Sequence, residues 1–149
     1  MFAGTFEHTL DAKNRLVIPS RLRAALPADG PEGKAFYVSQ WQIAGTKCLS
    51  LFTPSAWADH TARIEKLGEV DENAELLSAL LNADADRVER DAEWRIVLPE
   101  KLISTVQLGR DVLLLGQRRQ ILVIDPKKWQ AIRAQAEANY PDIYRKVPQ

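Results

Sequence analysis

Along the first residues the apolar side chains Phe2, Phe6 and Leu10, with His8, fall on one parity. That alternation predicts a β-strand with one buried face. Asp11-Ala12-Lys13-Asn14 then reads as a turn, because Asp starts turns and Asn tolerates positive φ. Arg15 to Ile18 is a short strand rich in β-branched residues. Pro19 suits the first position of a helix, predicted over Ser20 to Leu26 and stopped by Pro27. Ala28 to Gly33 reads as a loop on composition. Lys34–Trp41 and Lys47–Phe52 form a predicted hairpin with Ala44-Gly45 near its turn. Thr53-Pro54 starts a helix carrying Trp57, Ile64 and Leu67 on one face. Asp71 caps a second helix, whose apolar face is Leu76, Leu77, Leu80 and Leu81.

The pattern then repeats. Leu10-Asp-Ala-Lys-Asn-Arg-Leu-Val-Ile-Pro-Ser-Arg-Leu-Arg23 returns as Arg90-Asp-Ala-Glu-Trp-Arg-Ile-Val-Leu-Pro-Glu-Lys-Leu-Ile103, at a constant offset of 80 residues. Asp, Ala, Arg, Val, Pro and Leu match identically. A repeat of this kind means one supersecondary unit used twice. The second copy predicts a strand over Ala85–Arg90, a turn at Asp91–Trp94, a strand over Arg95–Leu98 and a helix over Pro99–Val106. A hairpin follows, Asp111–Leu115 and Gln120–Ile124 about Gly116–Arg119. Asp125-Pro126 starts the last helix, which Tyr140-Pro141 ends. The tail, Ile143 to Pro148, is predicted to be at most partly ordered. Pro54-x-x-Trp57 and Pro126-x-x-Trp129 match at an offset of 72, and the 28–33 loop accounts for most of the difference from 80.

A chain of 149 residues is one domain, or two small interlocked ones. Its 46% hydrophobic and 27% charged content is that of a soluble globular protein. No apolar run reaches the roughly 18 residues of a membrane span. The N-terminus lacks a signal-peptide pattern. One cysteine, Cys48, cannot form an internal disulfide, which fits a reducing cytoplasm. The net charge of zero argues mildly against nucleic acid as a partner, but the charge is segregated. Residues 11–23 carry a local +3 and residues 59–93 a local −7.

Enzyme chemistry finds little support. His8 and His60 are isolated, and neither stands with Cys48 or a carboxylate at ligand spacing. Cys48 lies within a strand, where a small buried apolar role is the ordinary one. No glycine-rich phosphate loop is present. Asp11 and Asp91 each begin a turn, so turn capping accounts for them. No enzyme activity, metal, cofactor or small-molecule substrate is expected. The better lead is basic: Lys13 and Arg15 about the first turn, Arg21 and Arg23 on the next helix. Such a cluster is either a solvated face or a nucleic-acid contact, since Arg and Lys reach phosphates and Arg reads guanine edges.

These residues carry a resemblance. The first-copy motif Asp11 to Arg23 is similar to the MraZ signature. So are Met1-Phe2, the second Asp-x-x-x-Arg-Ile-x-Leu-Pro, Val112-Leu-Leu-Leu-Gly116 and the Pro-x-x-Trp after each hairpin, together spanning essentially the full chain. The resemblance implies an α+β, β-rich fold of two tandem, pseudo-symmetric SpoVT/AbrB-like swapped-hairpin half-domains with flanking helices, over residues 1–82 and 83–149. It implies a cytoplasmic, nucleoid-associated transcriptional regulator that binds double-stranded DNA. The target would be short direct repeats upstream of the bacterial division and cell-wall gene cluster. It also implies a ring-shaped, octamer-like homo-oligomer. Carried over residue by residue, the DNA-facing turn is Lys13, Asn14 and Arg15, with Arg95 as the second-copy counterpart; Arg21 and Arg23 extend the motif. The chain departs from the family where Gly is usual, with Asn14 and Trp94. Gly there points to φ > 0, which suits Asn and not Trp, so the second turn is expected to be reshaped. Glu93 replaces Lys13, and Lys101 and Ile103 replace Arg21 and Arg23, leaving the second copy electrostatically near neutral. The rival expectation is a protein-interaction or antitoxin-like scaffold on the same fold, without specific DNA binding, whose acidic helices dock a partner.

Overall fold

The computed structural model describes residues 1–28 and 30–148; Asp29, within the expected 28–33 loop, and Gln149 lie outside the described residues. The chain is of mixed α+β class with an antiparallel sheet. The first copy supplies β1 (Phe2–Thr9), β2 (Arg15–Val17), α1 (Ser20–Arg23), α2 (Pro31–Lys34), β3 (Ala35–Ile43), β4 (Thr46–Phe52), α3 (Pro54–Gly68) and α4 (Glu72–Ala83). The second supplies β5 (Asp86–Glu89), β6 (Arg95–Val97), α5 (Glu100–Val106), β7 (Asp111–Arg118), β8 (Gln120–Ile124), α6 (Pro126–Ala138) and α7 (Tyr140–Tyr144).

The strands of the two copies interleave. One six-stranded sheet has the order β1-β7-β8-β4-β3-β5, and β2 pairs with β6 in a separate two-stranded ribbon. Each copy's first strand thus leaves its own hairpin and lies along the other's: β1 on β7, β5 on β3. The register carries a pseudo-two-fold axis. Leu16 faces Ile96, its own counterpart at the offset of 80. Ser50 faces Leu122, its counterpart at the offset of 72. The core lies between ribbon and sheet. Leu16, Ile18 and Leu22 meet Ile96, Leu98 and Leu102 there, all fully buried, with Phe36, Leu49, Leu51, Leu114 and Ile121 beneath them.

Several boundaries differ from the sequence expectation. The first short helix stops at Arg23 rather than Leu26; Ala25 and Leu26 make only i→i+3 bonds to Leu22 and Arg23, since Pro27 biases the residue before it away from helix. Part of the expected 28–33 loop is the one-turn α2, whose Glu32 accepts from the Ser55 amide (2.6 Å) and hydroxyl (2.7 Å) at the start of α3. Gly33 admits no side chain there, because a Cβ would lie 2.0 Å from the Pro27 carbonyl oxygen. β7 runs through the expected turn at Gly116 to Arg118. Gly116 pairs with Gly4 of β1, and a Cβ on it would stand 2.4 Å from the Ala3 nitrogen. It is therefore a close-approach glycine rather than a turn glycine. A short helix, α7, starts at Tyr140, where the last helix was expected to end, and takes in only Ile143 and Tyr144 of the tail; Tyr140 and Tyr144 stack at 5.6 Å.

The helix starts match their capping residues. Thr53, Asp71 and Asp125 each accept from amides of the first turn, satisfying donors that a helix N-terminus leaves open. Trp57 is buried and stacked on Tyr37 at 5.5 Å. On α4, Leu81 enters the core, while Leu76, Leu77 and Leu80 stay on the surface. His60 lies against the Phe52 ring at 5.1 Å, and burial, with Arg63 adding to it, pulls its pKa down. Cys48 is buried, and desolvation pushes its thiol up to about 12.

Candidate nucleic-acid interface

The turn of the first copy is built by Asp11. Its Oδ1 accepts from the Lys13 and Arg15 amides, both at 2.9 Å, while Arg15 Nε donates to Oδ2 at 2.5 Å. The backbone closes on itself through the Asn14 amide to the Asp11 carbonyl, 3.0 Å. The Arg15 amide, then the Arg15 side chain and the Lys13 amide, hold the Asp11 carboxyl down at about 2. One aspartate thereby shapes the loop and fixes the base of the Arg15 side chain. Arg110, distant in sequence, donates from Nη1 to the Asp11 carbonyl at 2.8 Å and pins the turn from outside.

The second turn is the same object. Asp91 Oδ1 accepts from the Glu93 and Arg95 amides at 2.9 Å each, and Arg95 Nε donates to Oδ2 at 2.7 Å. Asp91 is likewise held low, chiefly by the Arg95 amide. Contrary to expectation, Trp94 does not reshape it: φ is 60° at Trp94 and 59° at Asn14. A left-handed backbone costs a non-glycine residue about 1–2 kcal/mol. What holds it lies across the pseudo-axis. The Trp94 carbonyl accepts from the Ile18 amide at 2.8 Å, and the Asn14 carbonyl from the Leu98 amide at 2.9 Å. The left-handed residue of each copy thus extends the ribbon onto the other copy's strand. The Trp94 ring also carries two guanidinium groups, Arg90 at 3.8 Å and Arg23 at 5.2 Å from its centre. Cation–π contacts contribute about 0.5–2 kcal/mol each.

Ribbon geometry collects the arginines. Arg15 lies opposite Val97, and Val17 opposite Arg95. Residues opposite one another share a face, and Leu16 and Ile96 occupy the buried one. Arg15, Val17, Arg95 and Val97 therefore form the outer face, flanked by the two Asp turns. The structure places the other expected residues differently. Lys13 is exposed at the tip of its turn. Asn14 is half-buried and engaged through its backbone. Arg21 is exposed beside the Phe6 ring, 5.8 Å from its centre. Arg23 is turned inward, with Nε donating to the Ile18 carbonyl at 2.7 Å, and Arg23 in turn helps burial lower the pKa of His8. Arg23 thus holds the ribbon to the helix that follows it.

The two copies differ in free charge. Arg95 makes a second ion pair, Nη2 to Glu93 at 2.5 Å, and Lys101, the counterpart of Arg21, pairs with Asp84 at 2.7 Å. Arg15 has Asp11 as its ion-pair partner and the cation Lys13 beside it in sequence. Arg90 and Arg110, which brace the two turns, went unassigned in the sequence: Arg110 acts on a turn far off in the chain, and Arg90 ties its own turn, through the Asp91 carbonyl and the Trp94 ring, to the distant Gly33 carbonyl. Among the described residues, no group of three His, Cys, Asp or Glu side chains is placed to hold a metal, and no helix is long and apolar enough to cross a membrane.

Fold and site together define a duplicated α+β chain that carries paired arginines on the outer face of a two-stranded ribbon. The MraZ family model, described as "MraZ protein, putative antitoxin-like", matches residues 1–78 and 81–144. Among similar proteins is the transcriptional regulator MraZ of Legionella pneumophila, 35% identical over 135 residues, covering 91% of this chain and 86% of that protein. That of Roseiflexus sp. is 30% identical over 139 residues, covering 93% and 91%. That of Thermomicrobium roseum is 28% identical over 147 residues, covering 99% and 97%. The chain belongs to the MraZ family.

Proposed function

We propose that this chain regulates transcription by binding double-stranded DNA through the outer face of the β2–β6 ribbon and the Asp11 turn. One observation carries the reading: Arg15 and Arg95 share one ribbon face, with the exposed Lys13 beside it. A two-stranded ribbon fits the major groove, where arginine pairs with guanine edges. Lys13 serves a phosphate, and Arg95, already paired with two carboxylates, contributes less than Arg15. The names of the relatives support the regulatory role. The interleaved strands support two swapped-hairpin half-domains, residues 1–82 and 83–149, that share one sheet.

A neutral subunit binds DNA weakly by itself. We read the exposed Leu76, Leu77 and Leu80 as part of a self-association surface that builds a ring. A ring presents several ribbons to short direct repeats upstream of the division and cell-wall gene cluster, and avidity supplies affinity without new contacts. The test is a gel shift on repeat-bearing upstream duplex across a salt series. Arg15→Ala is expected to abolish the specific complex and Arg95→Ala to weaken it; equal losses refute the asymmetry between copies. Lys13→Ala is expected to lower affinity across sequences and reduce the salt slope by about one. The family's antitoxin-like description favours a second reading, in which the acidic α3 and α4 dock a protein. Absence of any duplex binding at low salt decides for it.

A further inference from the structure

The outer face of the ribbon also holds two uncharged side chains. Val17 and Val97 occupy matching positions in the two copies and alternate with the arginines, each valine opposite one of them. Val97 is 53% exposed, and among the described residues it is the exposed large hydrophobic of the ribbon. Around it the copies have diverged, Lys13 to Glu93 and Arg21 to Lys101, yet both keep valine. Strand propensity is served equally by threonine, which would leave the position polar. An apolar pair between two guanidinium groups calls for an apolar group on the partner.

We propose that Val17 and Val97 are specificity-determining residues that pack against thymine 5-methyl groups in the major groove, beside the bases met by Arg15 and Arg95. This rests on the DNA-binding reading above. The thymine methyl is the apolar feature of the major-groove edges. Diagonal neighbours on a ribbon stand about 7–8 Å apart, about two base-pair steps of roughly 3.4 Å, so the two valines address separate positions of one site. Valine is short. Its contact requires the strand backbone itself to enter the groove, which separates this geometry from one in which long arginine side chains reach in from the rim.

The test uses the full chain and duplexes selected by it from a random-sequence pool. The winners are resynthesised with deoxyuridine in place of thymidine, which removes the methyl and leaves the pairing edge unchanged. At fixed salt, affinity is expected to fall about three- to fivefold per contacted thymine, the effect of one buried methyl. The Val17→Ala/Val97→Ala double variant is expected to bind the two probes alike. Should that variant not fold, Val97→Ala alone, at the more exposed position, takes its place. Equal affinity of the unmodified chain for both probes overturns the proposal and leaves DNA binding standing, as does undiminished uracil sensitivity in the valine variants. Failure to select any duplex removes the DNA-binding reading and this one with it.

Discussion

Two residues in left-handed conformation, Asn14 and Trp94, join the copies, because a positive φ aims each carbonyl at the other copy's strand. Asn14→Ala is expected to cost about 1 kcal/mol of stability and Asn14→Gly to leave it unchanged or slightly raised, read from urea midpoints. The aspartates beside them are expected to make the fold acid-sensitive. The folded carboxyl of Asp11 lies at about 2 against an ordinary 3.8, so its contribution is complete above that ordinary value and is lost as pH falls through the folded one. Asp11→Asn is expected to flatten the decline in denaturation midpoint between pH 4 and pH 2, and Asp91→Asn to act in the same direction. The Asp-x-x-x-Arg spacing made both turns legible in the sequence. The conformation of Trp94 was not, because besides the nearby Arg90 it is held by Arg23 and the Ile18 amide, both far away in the chain.

At the scale of elements, hydrophobic alternation and capping residues located almost every strand and helix, since those signals are local. Apart from the early stop of α1 ahead of Pro27, the errors fall where a distant partner decides. Gly116 sits where a turn was expected, yet β1 comes so close that the position must lack a side chain. Gly116→Ala is expected to destabilise by more than about 2 kcal/mol by displacing β1. Gly45→Ala, in open space at φ 76°, is expected to cost about 1 kcal/mol; equilibrium unfolding of the pair separates close approach from backbone conformation. α2 was hidden by its Gly-Pro composition, and its place is set by Glu32 against the start of α3. The candidate site was legible as a cluster of cations. That Val97 faces outward follows from the ribbon register, and that Arg23 bonds inward follows from where α1 brings it against the Ile18 carbonyl; the sequence states neither.

For the whole molecule, the interleaving means that neither half carries its own sheet. Within residues 1–82, β1 and β4 lack the β7 and β8 they pair with, and β3 lacks β5. A fragment of residues 1–82 is expected to be unfolded as a monomer, checked by circular dichroism with light scattering. Replacing Leu76, Leu77 and Leu80 by serine is expected to reduce particle mass and DNA affinity together while leaving the near-ultraviolet circular dichroism of the folded chain in place; full affinity in a monomeric variant refutes the role of assembly. The pseudo-two-fold axis through Leu16–Ile96 and Ser50–Leu122 relates positions whose residues differ: Lys13 stands at one end of the ribbon and Glu93 at the other. An object with true dyad symmetry, laid along a linear lattice, looks the same travelling left or right. This one has a bow and a stern, and a row of such chains has a heading that a row of symmetric dimers lacks.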